Sequence, residues 1–252
     1  MEIDPLLQLV TYLYRISFFI GFLSVIVAKL YLPDFLEYGK TLKDHDEPQN
    51  KTILQKIIHF TVPKAYFSHF YYLSSVLSLV TFCYYPSYPI VWMLLFHSLR
   101  RLYETLYTSK YSAKSRMNWS HYVVGIWFYS TLHIILGIKL HYQEIPRYPR
   151  DTFTFLIFFL ASWDQYKNHE VLANLVKYSL PKERLFKLVS CPHYLDELII
   201  YGSFIAFNNE FCWLFVWVFV SLGISALETK AFYQLKFKDE VVPKYAMVPF
   251  IL

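Results

Sequence analysis

The chain has 252 residues, of which 56% are hydrophobic and 21% aromatic, with 17% charged and a net charge of +5. Soluble domains carry roughly 25% charged residues, and a single soluble domain of this size would leave aggregating aromatic patches exposed. Disorder, collagen-like repeats and a coiled coil are excluded, and the composition points to an all-α, polytopic membrane protein.

Seven apolar runs follow in chain order: Leu7–Leu32, Tyr66–Tyr85, Ile90–Tyr107, Tyr122–Leu140, Phe153–Trp163, Tyr194–Phe207 and Phe211–Ala226. The first four approach the ~20 residues that cross ~30 Å of hydrocarbon. The fifth and sixth are too short alone. They are expected to continue into polar sequence, through Asp164-Gln165-Tyr166 and His193-Tyr194-Leu195-Asp196-Glu197. Ionisable groups at membrane depth are costly and mark function. The start, Met1-Glu2-Ile3-Asp4, is acidic. A signal peptide begins basic, so the first run is expected to stay as an anchor.

Loop charges orient these spans. Lys40, Lys43, Lys51, Lys56 and Lys64 fall in the 33–65 loop, and Lys110, Lys114 and Arg116 in the 109–120 loop. Lys167, Lys177, Lys182, Arg184 and Lys187 fall in 164–192, and Lys230, Lys236, Lys238 and Lys244 in the tail. The opposite side holds Arg147 and Arg150. With seven spans these sets alternate, which places the N-terminus in the lumen and the C-terminus in the cytosol. The sequons Asn50-Lys51-Thr52 and Asn118-Trp119-Ser120 then face the cytosol and are expected to be unmodified. The 33–65 stretch, with balanced acids and lysines, reads as a solvated cytosolic connector. The positive charge reports orientation, and no soluble basic face suggests nucleic acid.

Several chemistries lack their residues. Only six glycines occur and no Gly-x-Gly, so a Rossmann fingerprint and a P-loop are absent. No Asp-Asp-x-x-Asp motif, histidine box or Gly-x-Ser-x-Gly elbow occurs, and no metal is expected. Cys83, Cys191 and Cys212 lie far apart and show neither a disulfide nor a zinc pattern.

Four polar constellations remain. In the third span, His97, Arg101 and Glu104 share a helical face, and Arg100 can pair with Glu104 at i,i+4. This is either an internal ion pair or a clamp for a phosphate-bearing ligand. After the fifth run, Asp164 and Asn168, and Gln165 and His169, are each four apart, as on an interfacial amphipathic helix or a ligand shelf. His193, Glu197 and Tyr201 fall on one face of a helix begun by Pro192. Capping explains Asp196 but not Glu197 within an aromatic bundle. The tail from Phe232-Tyr233 to Leu252 reads as a surface anchor or as a cover for a ligand. A further segment, Val62 to Tyr72, carries Tyr66 and His69.

Together these segments resemble the steroid 5α-reductase family, in its polyprenal reductase branch, over about residues 10–252. The resemblance implies one integral membrane domain, 1–252, of seven helices in the endoplasmic reticulum, with residues 153–252 forming most of an NADPH site reached from the cytosol. It implies cofactor-binding roles for Arg101, Gln165, Asn168, His169, Lys177, His193, Glu197 and Tyr233. The family's Asn and Asp fall at Gln165 and His169 here, and its sixth-span Asn at His193. Its ketone-gripping Glu and Tyr fall at Phe70 and Ser98, so Tyr66, His69, His97 and Tyr103 are the candidate oxygen-polarising groups. The activity implied is NADPH-dependent reduction of the α-isoprene double bond of a long-chain polyprenal held in the bilayer, serving dolichol synthesis for N-glycosylation. Conjugation to the aldehyde would let hydride add at the β-carbon while charge develops on oxygen. The rivals are a membrane methyltransferase of prenylated substrates, and a receptor or transporter.

Overall fold

A computed structural model describes residues 4–32, 35, 52–112, 115–176 and 179–252, without the side chain of Leu54. Lys177, the sequon at Asn50 and most of the 33–65 connector lie outside the described residues. Seven long helices sit on the seven apolar runs: α1 (Pro5–Tyr31), α3 (Phe67–Tyr84), α4 (Pro89–Tyr103), α5 (Trp119–His141), α6 (Phe153–Asn174), α7 (Pro192–Phe204) and α8 (Phe211–Lys236). A short α2 (Ile53–Ile58), closed by a Thr52–Gln55 capping box, precedes a two-stranded antiparallel ribbon. The ribbon pairs β1 (Thr61–Pro63) with β2 (Arg116–Asn118). By joining the segments before α3 and α5, it fixes where those helices enter the bundle.

Among the described residues, three helices, α1, α5 and α8, are long and apolar enough to cross a membrane by length and composition. The chain is a membrane protein on that ground and on its surface. Large apolar side chains line the outside of α1, among them Leu6, Leu9, Leu13, Ile16 and Ile20. Of the remaining long helices, α4 and α7 are shorter, and α3 and α6 carry polar residues that they turn inward. On α6, Phe153, Leu156, Ile157, Leu160 and Trp163 face outward, while Phe158, Ala161, Gln165 and Asn168 are buried. That inverts the pattern of a soluble helix, and suits a bundle whose outer solvent is lipid.

The polar extension expected of the fifth run is continuous helix: α6 passes through Asp164 to Asn174 without a break. Pro192 starts α7 at its first turn, so His193 to Glu197 belong to the helix. After Tyr103 the chain widens into a π-helical turn, Glu104–Thr108. Such turns recur at functional sites. Asn118 caps α5 through Ser120 N at 3.0 Å and donates its side-chain amide to Ile58 O at 2.6 Å. With 1% exposure and its nitrogen engaged, Asn118 has no room for a glycan in the fold.

The core is aromatic, and two contacts within it depend on glycine, Gly21 against the Trp217 ring and Gly125 against Phe70. A Cβ added to Gly125 of α5 would stand 2.7 Å from the ring of Phe70, which α3 buries against α5. Gly125→Val should cost about 1–3 kcal/mol by overpacking. A lower melting temperature of the purified protein with an unchanged helical spectrum is the expected reading.

Candidate active site

The inward polar residues of α3, α4, α6 and α7 meet in one cluster. Its centre is Glu104, fully buried where α4 passes into the π turn. Arg100 and Arg101 both pair with its carboxylate, and His169 Nδ1 donates to it at 2.7 Å. A lone buried carboxylate would be untenable, whereas one shared by two guanidiniums and an imidazole is satisfied.

Each arginine then reaches a second helix. Arg100 donates to Gln165 Oε1 at 2.6 Å and lies 3.3 Å from His97 Nδ1. Arg101 donates to the Tyr71 hydroxyl at 2.7 Å, and its guanidinium stands 4.8 Å from that ring's centre. Gln165 turns its amide group to α7, donating to His193 O at 3.0 Å and to Glu197. Glu197 Oε1 lies 3.7 Å from His97 Nε2. Tyr201, one turn further along α7, meets the His97 ring edge-to-face at 5.7 Å.

A second layer ties α6 to the loop before α7. Asn168 donates to Asp196 Oδ2 at 2.7 Å and to Asp164 Oδ2 at 3.0 Å. Arg184 pairs with Asp164, donates to Asn168 Oδ1 at 3.3 Å and stacks 5.2 Å from the Trp163 ring centre. His169 and His193 face each other at 5.5 Å between centroids. The tail folds along residues 188–191: Tyr245 N donates to Leu188 O at 3.2 Å, and Cys191 N to Ala246 O at 2.9 Å. It therefore braces the start of the helix carrying His193 and Glu197.

Of the residues singled out from sequence, His97, Arg101, Gln165, Asn168, His169, His193 and Glu197 come together here. Tyr66 and His69 do not. They stack on each other at 4.6 Å, both exposed, with His69 Nδ1 3.1 Å from the Tyr122 hydroxyl. Tyr103 is 52% exposed and packs on Tyr107. Tyr233 is buried near the end of α8, in ring contact with Phe232 and Phe237. Sequence reasoning did not single out Tyr71 or Arg184 as site residues. Tyr71 sits in an unbroken aromatic stretch, and Arg184 reads as one more loop base.

What the cluster offers is a dense set of fixed donors and acceptors at one end of an apolar bundle. Two donors remain unspent: Nε of Arg100 and Nε of Arg101 are buried with no hydrogen-bond partner. His97 Nε2 also lacks one, with only the carboxylate of Glu197 at 3.7 Å. Buried donors without partners are rare, and these three belong to neighbouring residues of α4.

Comparison with known proteins places this arrangement. Residues 115–252 match the family described as 3-oxo-5-alpha-steroid 4-dehydrogenase. The chain is 58% identical over 249 residues to the polyprenal reductase of Saccharomyces cerevisiae, covering 99% of this chain and 98% of that protein. It is 28% identical to the polyprenal reductases of Caenorhabditis elegans and Homo sapiens, over 88% and 86% of this chain and 87% and 85% of those proteins. The chain belongs to the 3-oxo-5-alpha-steroid 4-dehydrogenase family, the steroid 5α-reductases.

Proposed function

We propose that this chain is a polyprenal reductase that uses NADPH to saturate the α-isoprene double bond of a long-chain polyprenal, giving dolichal for dolichol synthesis. One observation carries the reading: 58% identity to the yeast polyprenal reductase along 99% of the chain.

The cluster fits the cofactor by its donor set. Phosphates and ribose hydroxyls need N–H donors and fixed acceptors, and the unspent Nε groups of Arg100 and Arg101 supply donors where α4, α6 and α7 converge. Arg101, Gln165, Asn168, His169, His193 and Glu197 would hold NADPH, with Tyr233 and Lys177 contributing from the C-terminal part. NADPH, when bound, supplies the hydride. The protein's own task is to hold the aldehyde oxygen as charge develops on it and to keep water out. Of the candidate polarising groups, His97 alone lies in the cluster, fully buried beside Glu197. An isolated alkene in a polyprenol lacks that developing oxyanion, which favours the aldehyde as substrate.

The proposed setting is the endoplasmic reticulum membrane, with all seven long helices spanning. The N-terminus lies in the lumen and the cluster opens to the cytosol, where the loop lysines gather. A long isoprenoid can reach such a site only from the bilayer.

Protein purified in detergent should be stabilised against heat by NADPH, and should convert polyprenal to dolichal while leaving polyprenol unreduced. Stabilisation by S-adenosylmethionine alone would favour the methyltransferase reading instead. Reduction of polyprenol in preference to polyprenal would overturn the substrate.

A further inference from the structure

One turn deeper in the bundle than the arginine cluster lies a second polar group that the cofactor reading does not use. Ser74 of α3, Ser98 of α4 and His133 of α5 are buried among apolar neighbours, with 0%, 0% and 6% exposure. Ser78 of α3 joins them at 1% exposure. Their side chains form one unbranched chain of hydrogen bonds. Ser78 Oγ lies 3.1 Å from Ser98 Oγ, Ser98 Oγ lies 2.7 Å from Ser74 Oγ, and Ser74 Oγ lies 3.2 Å from His133 Nε2.

Counting protons shows what this chain lacks. Three hydroxyls and a neutral imidazole carry four donor hydrogens. Three bonds use three of them, so one N–H or O–H is always left over, whichever way the bonds point. If the serines donate towards the imidazole, the surplus donor is His133 Nδ1–H, which is buried without a partner. If the direction reverses, the surplus donor is the Ser78 hydroxyl. A buried unmet donor costs about 1–3 kcal/mol, a cost that a bound acceptor removes.

The surroundings say which acceptor fits. Among the described residues, no charged side chain joins the chain's hydrogen bonds. A phosphate or carboxylate brought there would be an uncompensated charge in the bundle core, whereas a neutral oxygen with lone pairs would not. One turn away, Ile90, Leu94, Leu132, Leu136, Phe204 and Phe211 meet in a wholly apolar seam, closed to a water molecule, which a prenyl chain would have to part. Leu94 is one turn from Ser98, and Leu132 and Leu136 flank His133. The chain also touches the first cluster. Ser98 follows His97 directly, Ser74 is one turn from Tyr71, and His133 is one turn from Tyr129, which meets the Tyr71 ring at 5.5 Å.

We propose that the Ser78–Ser98–Ser74–His133 chain is the receptor for the aldehyde oxygen of the substrate. Its surplus hydrogen donates to that oxygen and follows the charge that grows there during reduction. Because the chain is neutral, it accepts a prenyl aldehyde and rejects a prenyl phosphate. The assignment rests on the polyprenal reductase reading and deepens it.

The test uses the full chain in detergent with saturating NADPH and polyprenal. Ser98→Ala removes the central link with little change of shape. It should lower kcat ~100- to 1,000-fold, the scale of a lost oxyanion donor, while NADPH affinity stays within about twofold because the arginine cluster is intact. Ser98→Thr should recover most of the loss by restoring a hydroxyl. His133→Asn, which keeps a donor, should retain more activity than His133→Leu. Polyprenyl phosphate should not compete with polyprenal in the wild-type protein. If the wild type fails to reduce polyprenal, the functional reading itself falls. If the wild type is active and Ser98→Ala, folded and NADPH-binding, stays within about twofold of its kcat, the assignment of the chain falls alone. Effective competition by polyprenyl phosphate would overturn it too.

Discussion

Arg101→Ala is expected to cut kcat/KM for polyprenal at least ~100-fold and to raise the NADPH dissociation constant. Removing one partner from a buried pair costs about 3–5 kcal/mol, and Arg101 serves three partners at once. It pairs with Glu104, approaches His169 at 3.0 Å and donates to Tyr71 at 2.7 Å. The fold should survive, because Glu104 keeps Arg100 and the His169 hydrogen bond. What is lost is the link from α4 to α3 through Tyr71, together with the unspent Nε donor. Arg101→Lys should rescue little, since one ammonium cannot reproduce a planar fork that spans three helices. Fluorescence titration with NADPH beside a thermal melt separates the outcomes. A folded Arg101→Ala protein with wild-type NADPH affinity would remove this residue from the cofactor site.

Arg101 also shows which parts of the site the sequence makes legible. Its face with His97 and Glu104 follows from helical spacing alone, and the structure joins those residues through Arg100 and Arg101. The shortness of the fifth and sixth runs located the polar turns of α6 and α7, because a span that ends too early must go on through polar residues. The partners across helices were not legible. Gln165 meets Glu197 and Arg100, and Asn168 meets Asp196, through packing that periodicity within one helix cannot encode. The buried serines of α3 and α4 were silent for another reason. A serine barely lowers the hydropathy of an apolar run, so Ser74 and Ser78 read as filler among larger apolar and aromatic residues, and Ser98 stands out only as the position of a family tyrosine. Tyr66 and His69 drew attention because His is rare in such a run. The backbone turns ~100° per residue, and this carries His69 outward while Phe70, Tyr71 and Ser74 face the core.

Glu197→Gln should lower kcat ~10- to 100-fold with a smaller change in NADPH affinity. The substitution keeps the shape of the side chain and the capacity to accept from Gln165, so packing of α6 on α7 is preserved. What it removes is the negative charge 3.7 Å from His97 Nε2. Hydrogen bonds and close pairs with charged groups contribute about 1.5–3 kcal/mol, which sets the expected range. If Glu197 acts by orienting His97 towards the substrate, the two residues form one unit. His97→Gln in the Glu197→Gln background should then add little, with a coupling of about 0.5–3 kcal/mol in a double-mutant cycle. If Glu197 instead serves only to seat Gln165, Glu197→Gln and His97→Gln should add independently, and Gln165→Leu should show the coupling in place of His97. Unchanged NADPH turnover in Glu197→Gln would take the carboxylate out of the mechanism altogether. The cofactor's position would then rest on the arginines of α4 and the Asn168–Asp196 layer, with His97 left as a buried neighbour of the serine chain.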